Sequence, residues 1–154
     1  MKNNIGYVSG YLCLCLFMFH DTLGHLRFCD FETNGLCNWT STLSNQNQPQ
    51  WLQTTRRSMS DGGPLTDHTY KNETGNFLYL RNENETSNGI VAEIKSETVN
   101  KPHTCLTFWY YIYGSEALSL RVLLADDSTT LWELLRLSGN QGDFWKGHTI
   151  DVDH

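Results

Sequence analysis

Apolar and polar positions alternate most clearly over residues 105–114. Leu106, Phe108, Tyr110 and Ile112 interleave there with Thr107, Trp109, Tyr111 and Tyr113. A period of two marks a β-strand. Aromatic rings on both faces predict that both faces are covered, and rings of this size bury about 150–250 Å² each. This strand is expected at the centre of a sheet, not at its edge. Shorter runs of the same kind fall at 51–54, 77–80, 90–95, 118–125 and 145–152. Residues 131–137 carry an apolar pattern that also suits a helix, but the run is short and flanked by turns, which favours a strand. Turn signals separate these runs, among them Ser60-Asp61-Gly62-Gly63-Pro64, Asp126-Asp127-Ser128 and the stretch 139–142. Many short strands with regular turns predict an all-β, antiparallel sandwich or jelly roll.

The first 24 residues follow another pattern. Lys2 is the one charge before Asp21, and Tyr11-Leu12-Cys13-Leu14-Cys15-Leu16-Phe17-Met18-Phe19 is a short apolar run. A charged start and an apolar centre are the composition of a secretory signal peptide. A membrane span needs about 20 apolar residues, so no transmembrane segment is expected; an uncleaved signal anchor is the alternative. Residues 1–24 are read as a leader cleaved near Gly24 and residues 25–154 as one extracellular domain.

Secretion decides how the cysteines are read. Five are present, and Cys13 and Cys15 would leave with the leader. Cys29 and Cys37 flank an Asn34-Gly35 turn signal, and in an oxidising compartment they are expected to form a disulfide. The rival is a zinc site, although no histidine pair accompanies the two. Cys105 is then the odd cysteine and the expected point of linkage between chains. Three Asn-x-Thr sequons, at Asn38, Asn72 and Asn84, support one another in a secreted chain.

Composition narrows the function further. With 154 residues and net charge −6, the chain supports one domain with a sizeable core. Its one adjacent basic pair is Arg56-Arg57, so a surface that tracks nucleic-acid phosphates is not expected. The sequence holds no His-Glu-x-x-His, no Gly-x-Ser-x-Gly and no phosphate-binding glycine loop. No catalytic residues are assigned. Asp30, Glu32 and Asp67 offer oxygen ligands of the kind calcium takes; solvated turn acids are the alternative.

Five segments in order resemble a MAM domain, the extracellular module of meprins, neuropilins and certain receptor tyrosine phosphatases, and are most like its neuropilin form. They are Cys29-Asp30-Phe31-Glu32 with Leu36-Cys37-Asn38-Trp39 and then Trp51; Gly63-Pro64-Leu65-Thr66-Asp67-His68-Thr69; Gly75-Asn76-Phe77-Leu78-Tyr79; Cys105-Leu106-Thr107-Phe108-Trp109-Tyr110; and Gly139-Asn140-Gln141-Gly142-Asp143-Phe144-Trp145. The resemblance implies a concanavalin-like jelly roll, no catalysis of its own, and adhesion or assembly through an extracellular or cell-surface protein, homophilic contact included. It also implies calcium ligands at Glu32 and Asp67, with Asp30 a weaker one. The family pattern continues through further strands and a fourth cysteine where this chain stops, so the last strands are expected to be missing. Two other readings stay open. One is a fragment of a larger secreted or membrane-anchored protein such as a meprin-like metalloprotease. The other is a carbohydrate-binding jelly roll, which would need exposed platforms among Trp109, Tyr111 and Trp145.

Overall fold

A computed structural model describes residues 10–21, 26–33, 35–41, 50–60, 62–81, 92–98, 104–114, 119–125 and 131–152. Ten strands run through them: β1 (Gly10–Asp21), β2 (Leu26–Cys29), β3 (Thr40–Ser41), β4 (Gln50–Thr55), β5 (Asn76–Arg81), β6 (Ile94–Lys95), β7 (Thr104–Gly114), β8 (Ser119–Ala125), β9 (Leu131–Ser138) and β10 (Lys146–Val152). Arg56–Ser58 adds one 3₁₀ turn, and no α-helix occurs among the described residues. The main sheet has six strands in the order β10-β7-β1-β5-β4, with β2 also on β1. The pairs β3-β6 and β8-β9 form two small sheets, and every pairing is antiparallel. The all-β antiparallel class read from the periodicity is the class observed.

Strand β7 meets the expectation of two covered faces. Leu106, Phe108, Tyr110 and Ile112 enter one core with Trp51, Leu78, Leu120 and Val152. Half-buried Val122, Leu124, Leu135 and Leu137 of the β8-β9 hairpin close over that core, which makes the second layer. Trp51 also donates its indole N–H to the Ala92 carbonyl at 3.1 Å, fixing the segment that leads into β6. On the opposite face Phe77 and Tyr111 form a second core against Met59, Tyr79, Trp109 and Trp145.

Strand β9 resolves the ambiguous run, and the reason is a bulge. Val122 pairs with Leu135 while Leu123 pairs with Glu133, so Leu134 is the extra residue. A bulge shifts the alternation by one, which lets Leu134 and Leu135 both pack on the first core. Two adjacent inward leucines are what made the run resemble a helix. Residues 82–91 lie outside the described residues, so of the expected strand at 90–95 the structure describes its end, β6.

Gly10–Asp21, within the expected leader, run as β1 in the middle of the main sheet. The run from Tyr11 to Phe19 is apolar, and in this structure it pairs with β7 along 106–113.

Phe108 is 1% exposed and Leu65 74% exposed. Phe108→Ala should cost about 3–5 kcal/mol, read as a lowered urea midpoint. Leu65→Ala should stay within about 0.5 kcal/mol of the parent. Equal effects would overturn this assignment of the core.

Candidate functional site

Cys29, Asp30, Glu32, Cys37, Asp67 and Asn72, all singled out from sequence, lie in two loops. The first runs from Cys29 to Cys37, which are joined by a disulfide. In the chain-entropy account a loop of this size gains about 2–3 kcal/mol from the link. Two of its residues, Phe31 and Cys37, hold positive φ of 63° and 54°, a conformation that costs L-residues roughly 1–2 kcal/mol each. Burial of the Phe31 ring, 0% exposed, and the disulfide offset that cost. Gln53 Nε2 donates to the Phe31 carbonyl, tying the loop to β4. Asp30 Oδ1 accepts the Glu32 N–H at 3.0 Å, an Asx turn inside the loop.

The second loop, 62–75, covers the second core. Asp67 is 0% exposed. Its carboxylate accepts the N–H of Tyr70 at 2.5 Å and of Asn72 at 3.0 Å, while the Asp67 N–H donates to the Asn72 carbonyl. Asn72 Oδ1 in turn accepts from Thr74 N, Thr74 Oγ1 and Gly75 N at 2.7–2.8 Å. Asp67 and Asn72 thus nucleate the loop between them. A Cβ at Gly75 would lie 2.2 Å from Asp67 Cγ, so that position is closed to larger residues.

Glu32 meets the second loop from the other side. Its Oε1 accepts the Asn76 N–H and its Oε2 accepts Asn76 Nδ2, both at 2.9 Å. Glu32 and Asp67 therefore converge on the dipeptide Gly75-Asn76. They do so as acceptors for amide donors, and Asp30 is committed within its own turn. No group of three or more His, Cys, Asp or Glu side chains lies together among the described residues. As arranged, the three carboxylates join loops.

His68 is the feature the sequence did not signal. Its ring stacks on Trp109, centroids 4.4 Å apart and planes 24° apart, with the edge of Trp145 at 6.3 Å. Trp145 donates its indole N–H to the Thr66 carbonyl at 2.8 Å, and Tyr111 donates its hydroxyl to Asp143 Oδ1 at 2.5 Å. His68 Nδ1 is buried with no hydrogen-bond partner. Burial first, then the Lys71 ammonium, push the His68 pKa below 6.5; the Asp67 carboxylate pulls weakly the other way. The rings that would serve as sugar platforms are thus taken up: Tyr111 is 2% exposed, and Trp109 and Trp145 are half-buried in this stack.

The remaining residues lie apart. Asn38 and Asn72 are exposed, Asn38 Nδ2 reaching Glu97 Oε1 at 3.4 Å; Asn84 lies outside the described residues. Cys105 keeps a thiol, half-buried, that donates to Asp151 Oδ1 of β10 at 3.0 Å. On the β8-β9 hairpin, Glu133 is held between Arg121 at 2.5 Å and Arg136 at 2.7 Å, and these bonds, Arg136 first, lower its pKa. Leu123, Leu131 and Trp132 of the hairpin are exposed.

The family described as MAM domain, meprin/A5/mu matches residues 29–154. Neuropilin-1 of Xenopus laevis is 35% identical over 118 residues, covering 72% of this chain and 11% of that protein. Neuropilin-1 of Homo sapiens is 36% identical over 115 residues, 71% of this chain and 11% of its own length. Neuropilin-1a of Danio rerio is 28% identical over 140 residues, 82% of this chain and 14% of its own. The chain spans about a tenth of the length of the first two relatives, 11% of each. No solved structure matches it.

Two outcomes follow from the loop geometry. Glu32→Ala removes two bonds to Asn76 and should lower the melting temperature. A rise with calcium that disappears in Glu32→Ala would show that the loops rearrange into a cation site. For His68, the folded state resists protonation, so below about pH 6.5 the unfolded state binds more protons and stability falls as pH falls. The melting temperature should drop between pH 7.5 and 5.5, and His68→Gln should flatten that slope; an unchanged slope would remove His68 as its cause.

Proposed function

This chain belongs to the MAM family, and on that premise we propose that it is a binding module that acts in adhesion or assembly through a protein partner at the cell surface, a second copy of itself included. MAM modules are extracellular interaction domains, and the match with neuropilin-1 points to a non-catalytic one. The Cys29–Cys37 disulfide accords with an extracellular location. No helix among the described residues is long and apolar enough to cross a membrane.

The observation that carries the choice of ligand class is the fate of the aromatic rings. A sugar site needs open stacking faces, whereas Trp109, Tyr111 and Trp145 are spent on one another, on His68 and on Phe77. Three exposed apolar side chains, Leu123, Leu131 and Trp132, lie on one hairpin, while Phe28, Leu65, Tyr70, Tyr113 and Phe144 are exposed elsewhere. An exposed tryptophan suits a protein contact. Leader removal near Gly24 and N-linked glycans on Asn38, Asn72 and Asn84 complete the proposal; Asn72 is supported by its exposed turn, in which Oδ1 is engaged by the loop.

Beads coated with the secreted chain should aggregate with one another or adhere to cells. Trp132→Ala should weaken that adhesion roughly tenfold or more with an unchanged melting temperature. Adhesion that persists in Trp132→Ala and is competed by free sugars would support the carbohydrate reading instead. Glycosidase treatment should increase gel mobility, and Asn72→Gln should reduce that shift; no shift in protein from a secretory host would remove the glycans from the proposal.

A further inference from the structure

The outer face of the β8-β9 hairpin is laid out in cross-strand rungs. Arg121 lies opposite Arg136, Leu123 opposite Glu133 and Ala125 opposite Leu131, and all six residues are exposed. In a regular strand, residues three apart point to opposite faces. The bulge at Leu134 cancels that alternation, so Glu133 and Arg136 share the outer face. Like charges directly opposite in an antiparallel pair are destabilising, and Glu133 offsets the repulsion of the two arginines. Its Oε2 accepts Arg121 Nε at 2.5 Å and Arg136 Nη2 at 2.7 Å, and its Oε1 accepts Arg136 Nε at 2.8 Å. One carboxylate thus serves two guanidinium groups. Both of its oxygens are engaged, while the remaining guanidinium N–H groups make no hydrogen bond among the described residues.

We propose that this outer face is a docking surface for a segment of a different protein that presents a carboxylate beside an apolar side chain. The inference rests on the reading of the chain as a protein-binding module, and it names the chemistry of the partner. Three observations carry it. The surplus guanidinium charge stands on a chain of net charge −6, so this face has the sign opposite to the molecule as a whole, and charge complementarity selects an acidic segment. Second, guanidinium N–H groups are set in a planar fork that matches a carboxylate. A second carboxylate would neutralise the charge that Glu133 leaves over. Third, the adjoining rungs are apolar: Leu123 is 37% and Leu131 60% exposed, on the same face as the arginines. A sulfated polysaccharide could use the charge but has no side chain for the leucines. The same hairpin of a second copy, laid face to face, would set the surplus charge against itself.

The test uses the full chain, labelled for NMR at arginine Nε–Hε groups and leucine methyl groups. The probe is the acetylated and amidated tripeptide Leu-Glu-Leu at millimolar concentration. It should shift the resonances of Arg121, Arg136, Leu123 and Leu131 saturably, and the uncharged tripeptide Leu-Gln-Leu should bind about tenfold more weakly. Arg136→Gln removes the surplus charge and should weaken binding of Leu-Glu-Leu by a similar factor. Glu133→Gln leaves both guanidinium groups to the ligand and should tighten it severalfold, although the variant loses its own ion pairs; a purely structural Glu133 would not produce that gain. No saturable shift, equal binding of the two tripeptides, or a Glu133→Gln chain that binds no tighter than the parent would overturn the proposal. Heparin that shifts the arginines where the tripeptide does not would assign the face to a polysaccharide and overturn it. The same shifts appearing with rising protein concentration alone would assign it to a second copy and overturn it too. Bead adhesion of the parent chain tests the binding-module reading separately: its absence removes that reading, while the titration still decides the site.

Discussion

The fold depends on how much has to be covered around β7. Its side chains are apolar or aromatic on both faces, so one layer cannot satisfy it, and its length leaves two long edges of backbone donors and acceptors. Three different parts of the chain answer. The β8-β9 hairpin closes the first face, the 62–75 loop with Trp145 closes the second, and β10 and β1 take the edges. The Cys29–Cys37 loop adds Phe31 to the first core as a buried ring held on a left-handed backbone. That conformation is unfavourable alone and is kept because the disulfide, the ring's burial and Gln53 hold it together.

Local signals were readable wherever one residue's neighbours in sequence are also its neighbours in space. Alternation placed β4, β5, β7, β8 and β10 to within a residue or two, and the turn signal at Gly35 marks the bend that brings Cys29 to Cys37. The family match over 29–154 bears out the resemblance built on short motifs. What the sequence hid was long-range. The bulge at Leu134 depends on which residue of β8 lies opposite. The place of β1 depends on a strand some ninety positions further along, Thr104–Gly114. Composition marks Tyr11 to Phe19 as apolar, but the register of this run on β7 is not legible in it.

The acidic motif positions show why residue type underdetermines chemistry. Oxygen ligands for calcium and acceptors for loop amides are the same carboxylates. Asp67 is wholly buried, and the N–H groups of Tyr70 and Asn72 satisfy it. Glu32 spends both oxygens on Asn76. A buried carboxylate with amide donors already in place is a loop nucleus. His68 follows from the same geometry. Once Asp67 turns the chain inward, the next side chain is delivered onto Trp109, where its Nδ1 finds no partner. The hydrogen-bonded residue fixes the loop, and its neighbour bears the polar cost.

The two faces of the main sheet have separate duties as a result. The second face carries the loop with Asn72, exposed and held by its own Oδ1, so a glycan there would extend from the side where the aromatic stack is already closed. The first face carries the β8-β9 hairpin, whose inner leucines pack on the core and whose outer residues include Leu123 and Leu131, while Trp132, opposite Leu124, is exposed at the end of the inner face. Glu133 between Arg121 and Arg136 links the two strands across that outer surface, and exposed pairs of this type add register more than stability. A contact made by the hairpin would therefore draw on a surface braced from beneath by the first core, while sugar on the second face stays clear of it. Both arrangements trace back to β7, because a strand that is apolar on two sides obliges the chain to build a cover on each.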